Sequence, residues 1–177
     1  GIDVAELGVQ VHGGMGFIEE TGAAQYSRDV RVTAIYEGTN GIQSMDLVGR
    51  KLMDGGEAAY RLLDEMEADA EAARTALPDL AEAVWQACET LRETTEWMVA
   101  HGAQDRFAGS VPYLRGFARV LGAHFHLKAA RADRGGKHER LATFYIHSLL
   151  PEHVGLLTHA RQGADDLYAL SMDDLAA

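Results

Sequence analysis

Residues 34–41 read AIYEGTNG, with one carboxylate, Glu37, behind an apolar run and directly ahead of Gly38. A carboxyl group that Ile35 and Tyr36 kept from water would bind a proton more tightly, so its anion would be a stronger base. Gly38 has no side chain to hold a ligand away from the backbone. That combination suits removal of a proton from a weak carbon acid. The same spacing also fits a plainer arrangement, an exposed loop acid ahead of a helix cap at Thr39 or Asn40. Spacing alone favours the plainer one. A second stretch, QVHGGMGF at 10–17, offers backbone N–H groups with no Cβ at Gly13 and Gly14. This suits a bound phosphate, and equally an ordinary helix stop.

The elements around these stretches read as mostly helical. The 177 residues contain only three prolines and are rich in Ala, Leu, Glu and Arg. The pattern predicts a helix over 2–12 ended by Gly13-Gly14, a glycine-rich turn over 13–21 and a short helix over 22–30. Residues 31–38 read as extended or irregular, and a helix runs from Thr39 or Asn40 to about Met53. A boundary falls at DGGE, 54–57.

Beyond it, apolar residues recur at helical spacing in four stretches. Leu63, Met66 and Ala70 mark 55–76, and Val84, Cys88 and Leu91 mark 79–101. Leu114, Phe117 and Leu121 mark 110–134; Leu141, Phe144 and Leu157 mark 137–163, which Pro151 kinks or divides. This is the pattern of an antiparallel four-helix bundle. Residues 55–105 carry twelve acids and three bases, whereas 106–161 carry nine bases and three acids. Two such helix pairs would attract when folded together, although exposed pairs contribute little each. The acidic tail, 161–177, reads as a loop or a docked short segment.

The net charge of −11 argues against a nucleic-acid or acidic-membrane binder, which needs a basic face. A single cysteine, Cys88, excludes an internal disulfide and points to a reducing, cytoplasmic setting. No apolar run has the length of a membrane span, and no signal peptide opens the sequence. The chain starts at Gly1 within a helical pattern, so it reads as a piece of a longer protein. Eight histidines do not add up to a metal site. His124 and His126 are two apart on a helix, and His147, His153 and His159 are spaced by six. Cys88 reads as a core residue.

QVHGGMGF at 10–17, RDVR at 28–31 and IYEGTNGIQ at 35–43 occur in that order. Together they resemble the C-terminal signature of the acyl-CoA dehydrogenase family. Residues 55–177 are similar in size and pattern to the extra C-terminal helical domain of one subfamily, which includes bacterial long-chain members. The resemblance implies an all-α chain. Residues 1–54 would be the C-terminal part of the catalytic helical domain and 55–177 an appended helical bundle. It implies FAD as cofactor, an acyl-CoA thioester as substrate and α,β-dehydrogenation as the reaction.

By this resemblance Glu37 is the catalytic base, and its backbone N–H holds the thioester oxygen. Tyr36 and Gly38 line the substrate, and Thr39 contacts the flavin. Gln10, Gly13 and Gly14 meet the FAD of a neighbouring subunit, which makes the active unit a dimer or larger. The family often has Gln where Gly41 stands, so that cofactor contact is lost. Arg28 and Asp29 take structural roles. An electron-transferring flavoprotein is the implied electron acceptor.

Without the preceding domains, the chain alone is expected neither to catalyse nor to hold stoichiometric FAD. A flavin absorbance spectrum of the purified chain checks this, and one flavin per chain would refute it. The alternative is a non-catalytic helical module for oligomerisation, which residues 55–177 alone would suit. A further reading, a phosphate-binding protein using GGMG, requires a preceding strand where 2–12 reads as helix.

Overall fold

Helices are the whole of the regular structure in the computed structural model, which describes residues 1–176. The all-α expectation holds. Two compact units divide at Gln43 and Ser44.

In the first unit α1 (Ile2–Val11) packs against α3 (Ala23–Arg31) through the one-turn α2 (Gly14–Phe17). Two glycines make that connection. Gly13 has φ +60, where a side chain would be strained, and a Cβ on Gly16 would lie 2.2 Å from the Val9 carbonyl oxygen. The third glycine of GGMG therefore serves packing. Only Gly16 and Ala23 are buried in this unit, while Val4, Leu7, Val11, Phe17 and Tyr26 are exposed.

Residues 31–38 are not extended. Two 3₁₀ turns, Val32–Ala34 and Tyr36–Gly38, continue the path of α3. Thr33 assists by donating its hydroxyl to Val30 O at 2.7 Å. Next, α4 (Thr39–Asp46) runs into a π turn over Leu47–Lys51.

In the second unit the expected bundle forms from α5 (Glu57–Ala73), α6 (Pro78–Ala100), α8 (Ser110–Ala132) and a divided fourth helix. That fourth helix is α9 (Lys137–Phe144), a π turn over Tyr145–Leu149, and α10 (Glu152–Ala160). Pro151 has no N–H and its ring crowds the carbonyl four residues back, so the ladder is interrupted there. The Leu150 N–H instead reaches Tyr145 O, at 2.9 Å. A short helix the pattern did not show, α7 (Ala103–Ala108), joins α6 to α8. Asp105 on α7 accepts from the Ala164 N–H at 3.0 Å, and Arg106 donates to Val48 O at 3.1 Å.

The core runs from Val48 to Ala160 and draws nothing from the first unit. Tyr113 is its largest fully buried side chain. Its hydroxyl lies 2.8 Å from Thr95 Oγ1, which itself donates to Leu91 O, so Tyr113 is the donor of that pair. Glycine permits the closest helix approach. A Cβ on Gly109 would come within 2.1 Å of Ala160 O. Opposite charges do meet across the bundle, as Lys128 and Arg131 with Asp69.

His124 is buried on α8, with Nε2 3.8 Å from Asp69 Oδ2. Burial lowers its pKa, as does Lys128, against the opposing pull of Asp69 and Glu65. The unfolded chain therefore binds a proton at His124 at a pH where the folded chain does not. Stability is expected to fall as pH drops below the ordinary histidine value of about 6.5. Urea midpoints measured between pH 7.5 and 5.5 should decline, and His124→Gln should flatten that decline.

Candidate functional site

The expected base, Glu37, and the expected substrate and cofactor contacts Gly38 and Thr39 lie in one tight turn. Glu37 has φ 56 and ψ 29, Gly38 has φ 93 and Thr39 has φ 74 and ψ 162. Glu37 and Thr39 are the only non-glycine residues with positive φ among the described residues. For a β-branched threonine this is a sparsely populated region, costing about 1–3 kcal/mol, which persists where surroundings enforce it. Glycine suits position 38 because its φ of +93 would strain a side chain, and a Cβ would also sit tightly, 3.1 Å from the Ile42 side chain.

One enforcing contact is visible. Gln43 reaches back from α4 and donates from Nε2 to the Glu37 carbonyl at 2.8 Å. Sequence reasoning gave Gln43 no role. A glutamine one turn into the helix after a strained turn was its only signal.

Glu37 is exposed in this chain, and Ile35 and Tyr36 do not make the dry surroundings expected of them. They are 55% and 56% exposed themselves. Successive residues of a tight turn diverge, so sequence neighbours cannot roof one another. Thr39 and Gly38 are exposed as well, at the start of α4.

Gln10, Gly13 and Gly14 sit together at the end of α1 and the start of α2, all exposed. A Cβ at Gly13 or Gly14 would meet nothing within 4 Å. The approach is open in space, but the Gly13 N–H already donates to Gln10 O at 3.0 Å. No hydrogen bond or ion pair joins this group to the Glu37 turn among the described residues. An open apolar groove of about 620 Å³ lies between α1 and α3, lined by Val4, Gly8, His12, Tyr26 and Val30. It contains none of the expected site residues. Arg28 makes a structural ion pair, with Glu19 at 2.7 Å, and Asp29 accepts from Gln25.

The remaining reactive groups lie in the bundle. Burial pushes the Cys88 thiol up to about 12, in keeping with a core residue. Glu65, Asp69 and His124 have ligand atoms within 4.8 Å of one another. The Lys128 ammonium already stands 2.9 Å from Asp69, supplying the positive charge a cation would bring. His126 points elsewhere and stacks on Tyr145.

A family profile described as acyl-CoA dehydrogenase, C-terminal domain, matches residues 1–53. One described as acetyl-CoA dehydrogenase C-terminal like matches residues 62–171. The chain is 43% identical over 120 residues to 3-methylmercaptopropionyl-CoA dehydrogenase of Ruegeria pomeroyi, covering 64% of this chain and 20% of that protein. It is 48% identical over 59 residues to a butyryl-CoA dehydrogenase of Syntrophomonas wolfei, covering 33% of this chain and 10% of that protein. Against the mitochondrial short-chain specific acyl-CoA dehydrogenase of Rattus norvegicus, identity is 43% over 49 residues, covering 28% and 12%. The chain thus spans between a tenth and a fifth of the length of these relatives.

Proposed function

We propose, for a chain that belongs to the acyl-CoA dehydrogenase family as a C-terminal portion, that Glu37 is the base of an FAD-dependent α,β-dehydrogenation of an acyl-CoA. The observation that carries this is the run of positive φ at Glu37, Gly38 and Thr39. Strain of this kind concentrates where a side chain must be aimed rather than packed. An ordinary loop acid ahead of a helix cap needs none of it.

In this reading the Glu37 carboxylate takes the α-proton while its own N–H holds the thioester oxygen, steadying the enolate. Gly38 lets the thioester approach the backbone, with Tyr36 beside it. Bound FAD would supply the acceptor for the hydride leaving the β-carbon. Thr39 would hold it near the ribityl–phosphate portion. Gln10 and the open backbone at Gly13 and Gly14 would meet the cofactor of a neighbouring subunit, in a homo-oligomer. The residues present fit that cofactor in part, as donors and open approach. The enclosing walls, and the dry environment that would strengthen Glu37 as a base, would come from the rest of a longer protein.

The same reading takes residues 1–54 as the end of the catalytic helical domain and 55–177 as an appended bundle. It places the protein in the cytoplasm with an electron-transferring flavoprotein as acceptor. Among the described residues no helix is long and apolar enough to cross a membrane. The family match does not favour the helical-module alternative. Substitution of Glu37 in the complete protein, read as flavin reduction by acyl-CoA, tests the assignment.

Gln43 is a positioning residue here. Gln43→Ala removes one neutral hydrogen bond of about 0.5–1.5 kcal/mol, so kcat is expected to fall about 2- to 10-fold. KM should stay nearly constant, because the contact holds the turn and not the substrate. Steady-state kinetics of the complete enzyme separate the two, and a change confined to KM would reject the role.

A further inference from the structure

One histidine is buried in the bundle without a settled partner. His124 on α8 is 1% exposed, and its Nδ1 makes no hydrogen bond. Its Nε2 stands 3.8 Å from Asp69 Oδ2 on α5. Buried ring nitrogens left in this way are few in a folded chain, and each calls for a reason.

The separation itself favours one. A direct N–H···O bond spans about 2.7–3.2 Å, so 3.8 Å is too long for it. Two hydrogen bonds meeting on a shared water at the tetrahedral angle hold their outer atoms about 4.6 Å apart, which is too far. Two bonds of about 2.0–2.1 Å to one tetrahedral metal ion hold the ligand atoms about 3.4 Å apart, the nearest of the three spacings. A third ligand is in place. Glu65 lies one turn before Asp69 on the same side of α5, and one ligand atom from each of Glu65, Asp69 and His124 lies within 4.8 Å of the others.

A cation already stands at this place. The Lys128 ammonium, one turn after His124, is 2.9 Å from Asp69 Oδ2 and 3.7 Å from Glu65 Oε1. It answers the two carboxylates and leaves the His124 ring without a hydrogen bond. Its side chain is 42% exposed on a flexible stem, so the ammonium is free to swing into solvent. Arg131 keeps to the other oxygen, Asp69 Oδ1, at 3.6 Å. One imidazole nitrogen with two carboxylate oxygens is a donor set for zinc, whereas magnesium and calcium take oxygen ligands.

We propose that Glu65, Asp69 and His124 form a zinc site that staples α5 to α8, with Zn²⁺ taking the place of the Lys128 ammonium. Glu65 is 63% exposed, so the remaining coordination position opens to water. Histidine spacing along the chain carried no sign of this site, because two of its three ligands are acids from another helix.

The test uses the complete protein, stripped of metal with a chelator and titrated with Zn²⁺ against a chromophoric zinc indicator. One zinc per chain is expected at this site, with Mg²⁺ unable to displace it. Asp69→Asn and His124→Gln should each weaken it by more than the about 10- to 100-fold that loss of an outer-shell partner costs. Glu65→Gln should weaken it as well, at an exposed position where the change leaves the core intact. Lys128→Met should tighten it by about tenfold or more, because no ammonium then competes. Circular dichroism of the metal-free variants reads whether the bundle is intact. Zinc held equally by the parent and by Glu65→Gln would lie on other groups and overturn the proposal. So would no zinc binding by the parent, or binding that Lys128→Met leaves unchanged or weakens.

Discussion

Glu37→Gln in the complete enzyme is expected to leave flavin and acyl-CoA bound and to slow flavin reduction by about 10²- to 10⁴-fold or more, the usual worth of a positioned general base. Glutamine matches glutamate in shape, so the turn at φ 56 meets the same backbone preference as before. In the proposed reading its N–H would still face the thioester oxygen. What it lacks is an oxygen that can take up a proton. Binding and chemistry are thereby separated, which a larger substitution would not achieve. Stopped-flow absorbance at the flavin band, with saturating acyl-CoA, reads the step directly. Reduction at the normal rate would give the base to a different carboxylate, and the strain around Glu37 would need another account.

The second large effect is on stability. Tyr113→Ala is expected to cost about 3–5 kcal/mol, because a fully buried aromatic ring is replaced by a cavity between α6 and α8. Tyr113→Phe keeps the ring and removes only the hydrogen bond to Thr95, for about 0.5–1.5 kcal/mol. Thr95 keeps its bond to Leu91 O, so no buried donor is orphaned. Against a total of about 5–15 kcal/mol for a domain, the first change nears unfolding and the second does not. Urea denaturation of the two variants, followed by circular dichroism, distinguishes them. Equal losses would show that packing of the ring contributes nothing beyond its hydroxyl.

Much of the bundle was legible because a helix repeats every 3.6 residues, and its buried stripe is written into local order. Leu63, Met66, Ala70, Val84, Cys88 and Leu91 stood on that stripe and are all buried. Pro151 also announced its break, since a missing N–H is a local fact. Residues 31–38 were harder. With β-branched Val32, Thr33 and Ile35 they read as extended or irregular, yet here they wind as two short turns, the first with Thr33 bonded to Val30 O. Phe144 stood in the apolar pattern and is exposed, because periodicity identifies a face without saying what covers it.

At the site, residue types made Glu37, the glycine beside it and the GGMG loop candidates, because type sets what a group can donate, accept or leave open, and the family resemblance chose between their plain and functional readings. Three-dimensional packing decided the rest. It wound Glu37 and Thr39 into left-handed backbone, brought Gln43 back onto the Glu37 carbonyl, and spent Gly16 on the approach to Val9. Dryness is likewise beyond sequence neighbours. A side chain is shielded by groups that fold over it from elsewhere, and consecutive residues of a tight turn point apart.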